Sequence, residues 1–330
     1  MIKPGSRPLL CSAAALFALC GGAAAQPAAK GPAYPAKPIR LIVPFAPGGG
    51  TDITARSMAQ KLGESWGQQV IVDNRPGANG TIGVDLAAKS APDGYTLTMI
   101  SSSHAVNVTL LKTVPYDLLR DLTPVTQATR QPYSLVIHPS LPAKSVKQLI
   151  ALALARPGDL NYGSSGTGGL SHLAGSLFGA LANINIVHIP YKGGNPALID
   201  VIAGQIQMLF STLLQAGPHL KSGKLRGLAV TTPKRFAAAP ELPTMMEAGV
   251  PGYEVTQWYG ILAPAKVPPE IIAKLSKEIA RILHDPELAK RLAADGADAV
   301  GNTPEEFGAH IRSEVAKYGK IIQRIGLKAE

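Results

Sequence analysis

Three times along this chain a short run of branched apolar residues breaks into a glycine loop and resumes as an amphipathic helix. The first instance is RLIVPFAPGGGTDITARSMAQKL at 40–62, where Ala55, Met58, Ala59 and Leu62 recur at the i, i+3, i+4, i+7 spacing of a helix with one apolar face. The second is LNYGSSGTGGLSHLAGSLF at 160–178. The third, VHIPYKGGNPALIDVIAGQIQMLF at 187–210, predicts a strand at Val187 to Pro190, a turn at Gly193 and Gly194, a helix ended by Gly204, and a strand from Ile206 to Phe210. Apolar runs at Ile39 to Pro44, Gln69 to Asn74 and Thr96 to Ser101 complete a strand and helix alternation in the first hundred residues. That is the rhythm of a mostly parallel sheet covered by helices, an α/β fold.

The N-terminus belongs to a different logic. Lys3 and Arg7 precede an apolar run from Leu9 to Cys20, followed by Gly21, Gly22, Ala23, Ala24 and Ala25. This is the pattern of a secretory signal, residues 1–25, with cleavage expected after Ala25. A lipid anchor at Cys20 is disfavoured by the bulky Leu19 before it. No later run reaches the roughly 20 apolar residues that span a bilayer. Both cysteines, Cys11 and Cys20, lie in the expected leader, so no disulfide or thiolate chemistry is expected in the exported chain. The remaining 305 residues (330 less 25) suffice for two lobes.

The formal charge is +10, or +8 without Lys3 and Arg7, but the basic residues are scattered along helical faces, as at Lys266, Lys274, Lys277, Arg281, Lys290 and Arg291. No arginine-rich run or aromatic and basic interleaving points to nucleic acid. A solvated surface with mild attraction for anions is the expectation.

From Pro268 the pattern turns helical, with Ile272, Leu275, Ile279, Ile282 and Leu283 on one face, and Thr303-Pro304-Glu305-Glu306 fits a capping box. Two extended segments, 124–139 and 252–264, read as crossings between lobes. Lobe one is then 34–128 plus 256–330 and lobe two 129–255.

Glycines between a strand end and a helix start let backbone approach a ligand and aim unpaired helix amides at it, which suits an anion. One such loop is a weak signal; loops in both lobes facing one cleft are a binding site. Ser101, Ser102, Ser103, Ser164, Ser165 and Thr167 add hydroxyl donors, Phe45 and Tyr191 flank the turns, and Thr51 or Asp52 is expected to cap the first helix. Nucleotide readings fail: PGGGTD lacks the Gly-Lys-Ser/Thr of a P-loop, and its spacing is not G-x-G-x-x-G. A secreted hydrolase using Ser164 or Ser165 with His172 is the rival, although YGSSGTGG is no G-x-S-x-G elbow. No metal is expected, because the histidines form no H-x-x-x-H or H-E-x-x-H pair. No cofactor is implied.

Taken together, YPAKPIRLIVPFAPGGGTDITAR, VDNRPGANGTIGVDLAAKSAPDGYTL, YGSSGTGGLSHLAGSLF, HIPYKGGNPALIDVIAGQI and GKLRGLAVTT resemble the signature segments of the Bug-type substrate-binding proteins of tripartite tricarboxylate transporters. The resemblance implies a type II periplasmic-binding-protein-like fold: two discontinuous α/β lobes, two crossing strands and a ligand cleft. It implies a periplasmic, non-enzymatic and monomeric receptor that grips a small carboxylate, closes, and delivers it to membrane permease subunits; a sensor partner of a signalling protein is an alternative. The residues it marks as ligand-binding are Phe45, Gly48, Gly49, Asp52, Ser101 to Ser103, Ser164, Gly166, Thr167, His172, Lys192 and Gly193. Many relatives carry Asp after the strand that here reads QMLFST, where this chain has Ser211. The implied ligand therefore lacks a required ammonium group, which favours a plain dicarboxylate or an aromatic acid.

Overall fold

The computed structural model describes residues 34–328; the expected signal segment and its two cysteines lie outside them. The first half holds β1 (Ile39–Val43), α1 (Gly50–Trp66), β2 (Val70–Asn74), α2 (Thr81–Ala88), β3 (Thr96–Ser101) and α3 (Ser102–Leu110). The long β4 (Leu122–Ile137) leads into α4 (Val146–Ala155), β5 (Asn161–Ser164), α5 (Leu170–Ala182), β6 (Val187–Pro190) and α6 (Gly194–Ile202). There follow β7 (Met208–Thr212), α7 (Leu213–Lys221), β8 (Arg226–Val230) and β9 (Thr256–Pro264). The chain ends with α8 (Pro269–Leu283), α9 (Pro286–Ala294), β10 (Asp298–Ala299) and α10 (Pro304–Ile325). Among the described residues no helix is long and apolar enough to cross a membrane.

The strand order is β2-β1-β3-β9-β4-β7-β5-β6. At each end lies a parallel trio: β1 pairs in parallel with β2 and β3, and β5 with β6 and β7. Between them β9 and β4 run antiparallel to each other and to their outer neighbours. This is the α/β, two-lobed architecture of periplasmic binding proteins. β4 belongs to both halves: its start, from Leu122, pairs with β9, and its end, to Ile137, with β7 and β8.

Most of the helical reading holds. Ile272, Leu275, Ile279, Ile282 and Leu283 are all buried on α8, and each such side chain contributes roughly 1.5–3 kcal/mol by leaving water. Thr303 and Glu306 form the expected capping box on α10. β7 begins two residues later than the sequence suggests, at Met208, because the Gln205 and Ile206 amides still bond back to the Asp200 carbonyl and complete the turn after α6. α3 and α7 follow β3 and β7 directly, with no glycine loop to announce them.

Candidate functional site

Five helices start at one place. Gly49, Gly50 and Thr51 of α1, Ser101 and Ser103 of α3, Ser171 of α5, Gly194 of α6, and Thr212 and Gln215 of α7 line a single cavity with Phe45, Ser165, Ser211 and Phe210. Tyr133 on β4 and Gln257 and Tyr259 on β9 form its floor. Among the described residues no Lys, Arg, His, Asp or Glu lines it. Its free volume is only about 40 Å³, because the halves meet: Leu170 N donates to Ser103 Oγ at 3.0 Å and Asn195 Nδ2 to the Pro47 carbonyl at 3.2 Å.

The bare backbone at 48–50 has a steric cause. A Cβ at Gly50 would lie 2.3 Å from the Tyr259 hydroxyl, so the start of α1 sits directly on the floor only without a side chain. Gly48 adopts φ +79, a left-handed conformation open to glycine at little cost.

The expected cap on α1 is corrected. Gly49 is its N-cap, and neither Thr51 nor Asp52 occupies that position. Asp52 lies a turn inside and reaches back, its Oδ2 accepting from Gly48 N and Arg56 Nε at 2.9 Å each, while Oδ1 accepts from Asn74 Nδ2 at 2.9 Å. Burial raises the carboxyl pKa, but the bonds from Arg56, Gly48 and Asn74 outweigh it and hold the group below its ordinary value. Asp52 thus fixes the loop and offers the cavity no free charge.

On α1, α5, α6 and α7 no N-cap side chain closes the first turn. The first-turn amides of a helix have no intrahelical acceptor, so these helix ends present donors and partial positive charge toward the cavity.

Of the residues marked in the sequence, Phe45, Gly49, Ser101, Ser103 and Ser211 line the cavity. Gly166, Thr167 and Lys192 line an adjoining opening with Asn79 and Tyr191. The others stand behind the wall. Gly48 spends its amide on Asp52, and Ser102 Oγ accepts from Trp258 N at 2.9 Å, tying α3 to β9. Gly193 is the N-cap of α6, packed so that a Cβ would meet Ala46 at 3.2 Å.

Ser164 Oγ lies 2.6 Å from His188 Nε2 and accepts from Gly166 N at 3.1 Å. His172 therefore is not the partner of Ser164. It stacks on His188 with ring centroids 3.9 Å apart, and its Nδ1 accepts from Gly168 N at 3.2 Å. Burial lowers the His172 pKa to about 4, and burial with the facing His172 lowers that of His188 to about 3, so both rings are neutral supports of the second glycine loop. Ser165 faces the cavity, its Oγ 3.1 Å from that of Ser171 and its amide bonded to the same hydroxyl. Among the described residues no group of three His, Cys, Asp or Glu is placed to hold a metal.

Sequence reasoning missed Tyr133, Ser171, Gly194, Thr212, Gln215, Gln257 and Tyr259 as cavity residues. The floor residues were findable: Gln257 and Tyr259 alternate with Trp258 on the segment read as a crossing, and alternate residues of a strand share a face.

A family model described as "Tripartite tricarboxylate transporter family receptor" matches residues 54–327. The chain belongs to that family. Protein BugT of Bordetella pertussis is 39% identical over 297 residues, 89% of this chain and 91% of its own. Among solved structures, Rpa4515 of R. palustris with adipate has a TM-score of 0.88 and 38% identity, covering 89% of this chain and 99% of that one. MatC of Rhodopseudomonas palustris with bound malate has a TM-score of 0.84 and 28% identity, covering 88% and 100%. These are receptors, and the hydrolase reading of Ser164 or Ser165 with His172 is set aside: this chain is a Bug-type receptor and not an enzyme.

Proposed function

We propose that this receptor works in the periplasm as a monomer, takes up a small organic carboxylate between its lobes, and presents the loaded form to the membrane permease subunits of a tripartite tricarboxylate-type transporter. The observation that carries this reading is the convergence of uncapped helix starts on a cavity without a lining cation. Such ends favour an anion, and relatives solved with adipate and malate supply the carboxylate class. The lobes are 34–128 with 256–330, and 129–255, joined by β4 and the segment entering β9. A cavity of about 40 Å³ has room for little more than a water molecule or two, so loading requires the lobes to part and the Ser103–Leu170 and Asn195–Pro47 bonds to open.

A ligand with no ammonium group fits best, a dicarboxylate or an aromatic acid, because no carboxylate lines the cavity and Ser211 stands where an acid would be needed. Titration calorimetry with adipate, benzoate and aspartate tests this. One of the first two binds more tightly than aspartate, and Gly49→Val, whose Cβ meets nothing closer than the Ala46 carbonyl at 3.7 Å, folds normally yet loses binding. Tightest binding of aspartate, or unchanged affinity in Gly49→Val, overturns the reading.

A further inference from the structure

The floor of the cavity holds more polar groups than the protein can satisfy. Thr51, Gln131, Thr212 and Gln257 crowd round the Tyr259 hydroxyl, where burial raises the phenol's pKa and these polar neighbours oppose the rise. A phenol gives one hydrogen bond and accepts at most two, too few for four polar neighbours. Thr212 Oγ1, Gln257 Oε1 and both amide atoms of Gln131 are left without a hydrogen-bond partner, and so is Gln215 Nε2 beside them. Thr212, Gln215 and Gln257 line the cavity and are 2%, 8% and 4% exposed. Unpaired polar atoms at such depth are costly, and native proteins rarely carry several in one spot without a use for them.

Their placement is ordered. Gln131 and Gln257 stand opposite each other in the register of β4 and β9. A Cβ added at Gly50 would lie 3.0 Å from Thr212 Oγ1, and one at Gly194 3.6 Å from Gln215 Nε2. Thr212 Oγ1 and Gln215 Nε2 therefore abut the starts of α1 and α6, where the carboxylate is held in the reading above. Whichever way a glutamine amide is turned, it offers a carbonyl that accepts and an NH2 that donates. A carboxylate oxygen satisfies donors alone and leaves the amide oxygens bare. A hydroxyl gives one hydrogen bond and takes two.

We propose that Thr212 and Gln257, with Gln215 and Gln131 beside them, are specificity-determining residues that read a hydroxyl carried close to the ligand's carboxylate, so that the receptor selects a hydroxy acid over its deoxy parent. The proposal rests on the carboxylate reading and narrows it: the hydroxyl is an added requirement on the same acid.

The test is calorimetric titration of the full mature chain with matched pairs, malate against succinate and lactate against propionate, both enantiomers of each hydroxy acid included. In the wild type one hydroxy acid binds about tenfold or more tighter than its parent, the size of one well-made buried hydrogen bond. Thr212→Val and Gln257→Leu each cut that ratio toward one by weakening the hydroxy acid while leaving the parent unchanged or tighter. Thr212→Ser restores the ratio, which a general packing defect would not allow, and melting curves without ligand check that each variant folds. Equal affinity within each pair, or a ratio unmoved by both variants, overturns the proposal and assigns the unpaired atoms to ordered water. If acids bind and Gly49→Val abolishes binding while the ratio stays at one, only this inference fails. If no acid binds the wild type, the carboxylate reading fails with it.

Discussion

Four of the five helices that start at the cleft finish their first turns differently from α4, α8, α9 and α10. The exceptions are α3, boxed by Ser101 and His104 at the cleft, and α2, which follows the bare Gly80 away from it. Away from it, α4 is capped by Ser145, α9 by Asp285 and α10 by the Thr303–Glu306 box, and α8 opens with proline at its first turn, where a missing N–H costs nothing. At the cleft, glycine caps α1, α5 and α6 and contributes no side chain, and the Thr212 hydroxyl does not close α7. An N-cap side chain is worth about 1 kcal/mol over alanine, but only a few tenths of a kcal/mol over glycine. Leaving it off at four converging helices sacrifices stability that this chain does collect elsewhere. What it leaves is a set of donors that water or an anion can reach, so a small stability deficit is concentrated at the proposed binding site.

The strongest way to break this comparison is to install the missing cap. Gly49 has φ −79 and ψ 165, the extended geometry of an N-cap, and space for a Cβ. Gly49→Asp should raise the melting temperature slightly, since Asp improves on Gly at such a position by only a few tenths of a kcal/mol. The same carboxylate would stand where the ligand's anion belongs. Two like charges about 4 Å apart cost about 4 kcal/mol at an effective dielectric of ~20, roughly a thousandfold in affinity. A stabilised variant that still binds at wild-type strength would show that these helix starts do not hold the anion.

How much of this was legible follows from what carries each signal. The βα units of the first hundred residues and α8 announce themselves because apolar periodicity is a local property: Ala55, Met58 and Leu62 face the core for the same reason they recur in sequence. Gly48 to Gly50 and Gly193-Gly194 were visible as glycine, but not the reason, since the Tyr259 hydroxyl that excludes a Cβ at Gly50 lies 209 residues away in the chain (259 less 50). Asp52 shows the same limit. Its residue type suits a cap, yet the tertiary pull of Asn74 and Arg56 turns it back on Gly48. His188 carried no motif at all and is defined by what stacks on it. Gln131 and Gln257 meet through strand register, which no single stretch of sequence encodes.

A second test exploits the difference in what holds the loops. The second glycine loop leans on neutral imidazoles, with Gly168 N bonded to His172 and Ser164 beside His188. The pKa of His172 falls to about 4 and that of His188 to about 3 in the folded chain, below the ordinary value near 6.5. The unfolded chain therefore binds more protons as pH drops, and their contribution, complete above pH ~6.5, is lost as pH falls toward the folded values. Buried His104, lowered to about 4, acts in the same direction. Melting temperature should decline from pH 7 to pH 4, with a shallower slope in His188→Gln. A slope identical in that variant would remove His188 from the account.

The smallest effect is the control on which the comparison depends. Thr303→Ala removes the α10 cap, where Thr303 Oγ1 accepts from Glu306 N at 3.2 Å and Glu306 Oε2 accepts from Thr303 N at 2.9 Å. It should cost about 1 kcal/mol of stability and leave ligand affinity unchanged, since α10 starts outside the residues that line the cavity. Combined with Gly49→Asp, the stability changes should add, because the two sites share no partner, while affinity should follow Gly49→Asp alone. Were Thr303→Ala to weaken binding as well, the caps would act through global stability, and the missing caps at the cleft would no longer distinguish a binding surface from an ordinary weak point.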